Sequence, residues 1–137
     1  MVELLIGKKG TGKTKALIEK VNNALTVAKG NVVFISNDTN RNIFDVKSKA
    51  RMADTSEFEI KSYDELLGFI RGIISSDFDI TNIFVDGIFK IVGSDNLDGF
   101  ESFLNRLETM SQKFEITFVI SVSIDAETAP DYIKKLA

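Results

Sequence analysis

Short apolar runs alternate along this chain with stretches of helical period, and that order restricts the fold more than any other feature. Val2 to Ile6 is an apolar run, after which Leu17, Val21, Ala24, Leu25 and Ala28 recur on one helical face and Gly30 marks a stop. Val32 to Ser36 reads as a second strand and Phe58 to Lys61 as a weaker one. Ser62 and Glu65 make a capping-box pair ahead of Leu66, Leu67, Ile70, Ile73 and Ile74, which predicts a helix to about Ser76. Gly68 and Gly72 inside it weaken the helix but are read as permitting close packing. Ile80 to Asp86 is the next strand, Leu97, Phe100, Leu104, Leu107, Met110 and Phe114 mark a long amphipathic helix, and Glu115 to Ser123 is the last strand. Pro130 stands where it opens a short terminal helix.

The runs Ile83 to Val85 and Phe118 to Ile120 are continuous rather than alternating, as in strands covered on both faces. The expected fold is therefore α/β, a three-layer α/β/α sandwich with a mainly parallel sheet. A chain of 137 residues, 44% hydrophobic, suits one domain over residues 1–137. Asn37 to Glu57 is long for a structureless connection and is expected to hide a short helix or edge strand, or to be a mobile functional segment. Arg41, Lys47, Lys49 and Arg51 fall there with Asp45 between them. A solvated loop face is the plainer reading; a clamp on a second phosphate-bearing substrate, a contact with nucleic acid and an arginine supplied to a neighbour's site are the others.

Neither Cys nor His occurs, which excludes disulfides, thiolate nucleophiles, Cys/His zinc sites and every His-based triad. Chemistry is left to carboxylates, hydroxyls, lysines and bound metal. The net charge of −3 gives no field for nucleic acid or anionic membrane. Glu3 stands where a signal peptide carries basic residues, and no apolar stretch approaches the roughly 20 residues of a spanning helix. A cytoplasmic protein is expected.

Gly7-Lys8-Lys9-Gly10-Thr11-Gly12-Lys13-Thr14 fits G-x-x-x-x-G-K-[ST], between an apolar run and a helical stretch as a phosphate-binding loop requires. In such a loop glycines let the backbone wrap its N–H groups around phosphate, and the positive end of the following helix favours the charge. Lys8, Lys9, Gly10, Thr11, Gly12, Lys13, Thr14 and Lys15 are the expected nucleotide contacts, with Lys13 reaching the β- and γ-phosphates. Thr14 offers a hydroxyl to Mg²⁺, a hard ion that takes oxygen ligands. Asp86, closing the run Ile83-Phe84-Val85, is the second candidate Mg²⁺ ligand; a turn-forming Asp-Gly pair is its other reading. Asp38 and Asp125 each follow a strand end and are candidates to position an attacking water, or turn residues. Ser121 and Ser123 alternate with apolar neighbours and place a hydroxyl toward the γ-phosphate or are small residues at a strand end.

With these motifs and this element order the sequence resembles the P-loop NTPase superfamily, and in layout its minimal RecA-like core. Asp86 resembles the Walker B aspartate, but Gly87 stands where many such ATPases carry a glutamate, which implies slow hydrolysis at most. The layout is also similar to that of type II thymidine kinases, without their cysteine-bearing zinc lobe. The loop resembles that of partition and cell-division ATPases, in which the residue at Lys8 crosses a dimer interface, but Lys9 replaces a usual glycine. As a whole the chain resembles a group of small bacterial ATP-binding proteins. The resemblance implies an ATP-binding, Mg²⁺-dependent protein, a slow ATPase or nucleotide-dependent switch, with Lys13 and Asp86 central. A small-molecule or nucleoside kinase and a degenerate, non-hydrolysing scaffold are the alternatives. ATP is preferred to GTP because no [NT]-K-x-D stretch is present to read guanine. The expected partners are a nucleoside triphosphate and a further protein or second substrate, with self-association left open.

Overall fold

The strands form where apolar runs can be covered on both faces: β1 (Val2–Gly7), β2 (Asn31–Ser36), β3 (Arg51–Asp54), β4 (Ile80–Asp86) and β5 (Thr117–Ser123). They join one sheet in the order β1-β5-β4-β2-β3, with every pair parallel. The helices are α1 (Lys13–Val27), α2 (Tyr63–Ser76), α3 (Ile88–Val92), α4 (Phe100–Phe114) and α5 (Asp131–Lys134). These elements come from a computed structural model that describes residues 1–39, 46 and 49–137.

The period of two along each strand divides the core into two layers. Val33, Ile35, Ile83, Val85, Phe118 and Ile120 face the larger one, built with Leu66, Leu67 and Ile70 of α2 and Phe103, Leu104 and Leu107 of α4. Val32, Phe34, Phe84 and Val119 face the other, where Leu17, Ile18 and Val21 of α1 cover them. The α/β/α sandwich is thus present, its sheet wholly parallel. Because parallel neighbours need crossovers, all five carboxyl ends open at the same edge.

The crossovers also decide which loops meet. β5 is inserted between β1 and β4, so the loop after β1 and the aspartate closing β4 are separated by one strand. Ser121 pairs in register with Leu5 on one side, while Val85 pairs with Ile120 on the other.

Three local expectations are corrected. Phe58 to Lys61 is not a strand: Glu59 has a φ of 52°, and the Phe58 ring packs in a tilted pair against Phe69 of α2, 5.6 Å between ring centres. The edge strand is β3, inside the long segment, pairing Val33–Ser36 with Arg51–Asp54. Gly68 and Gly72 are not close-packing points, since a Cβ at either would meet nothing within 4 Å. Nor does Leu97 belong to α4, which begins after Gly99.

Arg51 lies on β3 and pairs with Asp77 at 2.9 Å, Lys49 is exposed, and Arg41, Asp45 and Lys47 lie outside the described residues. Ser62 does cap α2, its Oγ accepting from the Glu65 N–H at 3.0 Å; Glu65 Oε1 accepts from Lys61 N–H at 2.9 Å, one residue before the usual return arm of such a box. Among the described residues no helix is long and apolar enough to cross a membrane.

Candidate phosphate-binding site

The loop from Gly7 to Gly12 turns sharply between β1 and α1, and Gly12, the residue before the helix, has a φ of 85°. A side chain there would be strained, so the glycine that the motif demands has a local physical cause. The loop is held from within. Lys8 presents its carbonyl oxygen to two donors, Thr11 Oγ1 at 2.7 Å and Lys13 Nζ at 2.8 Å, so the Lys13 side chain folds back over the loop. Lys8 sends its own ammonium to Asp125, 3.6 Å away beyond the end of β5.

At the foot of the loop lies a hydroxyl–carboxylate network. Thr14 Oγ1 donates to Asp86 Oδ1 at 3.1 Å, and Ser121 Oγ donates to the same oxygen at 3.0 Å. Ser121 Oγ in turn accepts from the Gly87 N–H at 2.7 Å, which fixes the chain just past Asp86. Ser121 is buried, so its hydroxyl is used in orienting Asp86. Thr14 comes from α1, Asp86 from β4 and Ser121 from β5, and only the strand order brings them together.

These residues border a cavity of about 370 Å³ lined by Lys9, Gly10, Gly12, Lys13 and Thr14 from the loop and by Asp86, Gly87, Lys90, Ser121 and Ser123 facing it. The volume is in the range of small-molecule sites. Larger hollows of about 490 and 550 Å³ lie elsewhere, the first between the C-terminal halves of α2 and α4 around Phe78 and Phe114, the second beside Met1 and α5. Neither holds the glycine loop or its network. Burial holds the Lys13 ammonium below the ordinary lysine pKa, the positive charge of Lys90 adds to this, and Asp86 opposes it. An ammonium so placed gains from an incoming anion.

Thr14 and Asp86 form an oxygen-only pair suited to a hard divalent cation, and among the described residues there is no group of three His, Cys, Asp or Glu that would enclose one. A cation there would complete its shell with water and ligand oxygens, as Mg²⁺ does when it arrives with a phosphate chain. The other candidates lie apart. Asp38 is exposed past β2 and Asp125 is engaged with Lys8; neither lines the cavity. Lys15 is exposed on the first turn of α1. Lys90 is the residue that sequence reasoning missed. Its signal was the spacing from Gly87, three residues on a short helix, but α3 is five residues long and carries no readable period.

No protein-family model matches the chain, and no curated protein matches it. Among solved structures it is similar to a KaiC-like protein of the hyperthermophilic archaeon Pyrococcus horikoshii, with a TM-score of 0.68 over 98% of this chain and 67% of that one, at 18% identity. The fold is RecA-like. In this RecA-like core the strand between β1 and β4 is the one that supplies Ser121, so the fold accounts for the position of the network.

Proposed function

We propose that this chain is an ATP-binding, Mg²⁺-dependent protein that works as a slow ATPase or a nucleotide-dependent switch. The observation that carries the reading is the 3.1 Å contact between the hydroxyl of Thr14, at the end of the glycine loop, and the carboxylate of Asp86. Two residues 72 positions apart meet where a metal bound to phosphate would need both. On this reading the loop and Lys13 hold the β- and γ-phosphates, Thr14 and Asp86 hold Mg²⁺, and Ser121 keeps Asp86 oriented. The metal, when bound, neutralises phosphate charge.

Slow turnover follows from Gly87. Its φ of 71° is a left-handed conformation that favours glycine over any side chain, so the backbone at that position disfavours the carboxylate that would orient the water. Apart from Asp86 and Thr14, the side chains lining the cavity are two serines and three lysines, and none of these is a good base at neutral pH. ATP is preferred to GTP on the absence of a guanine-reading motif.

The test is thermal unfolding with Mg²⁺ and ATP, GTP or ADP. At about 100 times Kd a ligand adds roughly 2.7 kcal/mol to native stability. The wild type is expected to rise with ATP and Lys13→Ala to show little or no rise. No rise with any nucleotide in the wild type would remove the reading.

A further inference from the structure

Lys90 packs its stem beside Gly87, the position at which many such ATPases carry a glutamate. Gly87 opens α3, and a Cβ built on it would lie 3.6 to 3.9 Å from the Cδ, Cβ and Cγ atoms of Lys90. The lysine stem thus lies over the bare glycine, and its charged end is exposed. Lys90 lines both the 370 Å³ cavity and an adjoining cleft of about 290 Å³, with Lys9, Gly87 and Ser123 common to both. It belongs to the lining that the two share.

The charge balance around the cavity is uneven. Lys9, Lys13 and Lys90 face it against the single carboxylate of Asp86. Lys13 is close enough to feel both, Asp86 favouring its ammonium form and Lys90, more weakly, disfavouring it. Three ammonium groups facing one carboxylate across the cavity are incompletely neutralised, and an anion carrying several negative charges relieves them further. A terminal phosphate supplies that charge, and a diphosphate supplies less.

We propose that Lys90 is a γ-phosphate-binding residue that makes this site prefer a nucleoside triphosphate to a diphosphate. The inference rests on the ATP-binding reading above and deepens it. The loop holds what the two nucleotides share and Lys13 reaches both the β- and the γ-phosphate, whereas Lys90, also in the cavity lining, is assigned to the γ-phosphate alone. Discrimination of this kind needs a contact present with one ligand and absent with the other. Lys90 also connects the cavity to the sheet: its carbonyl accepts from Asn37 Nδ2 at 3.4 Å, just beyond β2.

The experiment is titration calorimetry in Mg²⁺ with ATP and with ADP, on the wild type, Lys90→Met, Lys90→Arg and Lys13→Ala. Methionine keeps an unbranched stem over Gly87 and removes the charge. We expect Lys90→Met to lose about tenfold in ATP affinity, with ADP affinity within twofold of wild type, and Lys90→Arg to keep the ATP preference. Unfolding midpoints without nucleotide, unchanged between the wild type and Lys90→Met, show that the loss is not one of folding. If ATP binds the wild type and is lost in Lys13→Ala, but Lys90→Met leaves ATP affinity unchanged or weakens both nucleotides equally, the assignment of Lys90 is overturned and the ATP-binding reading stands. If the wild type binds neither nucleotide, both are overturned.

Discussion

One oxygen of Asp86 accepts from two hydroxyls, Thr14 Oγ1 and Ser121 Oγ, and the two donors play different parts in the proposed site. Thr14 is exposed and free to turn its hydroxyl to a metal, whereas Ser121 is buried and tied to the Gly87 N–H as well. Removing charge from the carboxylate while keeping its shape separates metal binding from packing. Asp86→Asn is expected to keep the fold and lose most of the Mg²⁺ dependence of ATP-induced stabilisation, measured as melting temperature with ATP in Mg²⁺ and in EDTA. A normal Mg²⁺ response in that variant would assign the metal to another residue. The spacing of Gly7 to Thr14 and the position of Asp86 at the end of an apolar run were readable residue by residue. The role of Ser121 was not, because nothing local to β5 says that Asp86 lies beside it.

At the level of elements, α2 shows how far a periodic pattern reaches and where it stops. Its apolar stripe and its Ser62 cap follow from local spacing, and both are present. The reading of Gly68 and Gly72 as contact points failed because periodicity tells which face a residue occupies but not what stands opposite. Both glycines point to open space, so they lower helix stability without a packing benefit. Gly68→Ala and Gly72→Ala should each raise stability by about 0.5–1 kcal/mol, read as a higher urea midpoint at an unchanged slope. Destabilisation by either would mean that the face is covered by something beyond the chain. An edge strand was expected within Asn37 to Glu57, and it is β3, but its bounds were not readable for a similar reason: its four residues, with one exposed and three half-buried, become a strand only by pairing with β2. The five residues of α3, set between two glycines of positive φ, are too few to carry a period.

For the molecule as a whole, Asp77 ties together segments that the sequence keeps apart. Its carboxylate accepts from Asn31 Nδ2 at 2.7 Å at the start of β2, pairs with Arg51 at 2.9 Å at the start of β3, and accepts from the Asp79 N–H at 2.9 Å in the turn leading to β4. The Asp79 N–H, then the Asn31 amide, and less strongly the Arg51 guanidinium hold its pKa below the ordinary aspartate value. A folded pKa below the unfolded one gives stability that is fully present above about pH 4 and is lost as pH falls through the folded value. Urea unfolding at pH 7 and pH 3 should therefore show a smaller acid loss in Asp77→Asn than in the wild type. Equal losses would assign acid sensitivity to other carboxylates.

Alternating apolar runs and helical periods by themselves determined an α/β sandwich, and the spacing of eight residues determined a glycine loop between the first strand and the first helix. Both are local properties, set by side-chain period and by the few residues that accept a left-handed backbone. The insertion of β5 between β1 and β4, and with it the meeting of Thr14, Asp86 and Ser121, was decided only by the tertiary structure. So was the placing of Lys90 over Gly87. Strand order depends on which buried faces pack best across the whole sheet, a sum over distant residues that no window of sequence contains.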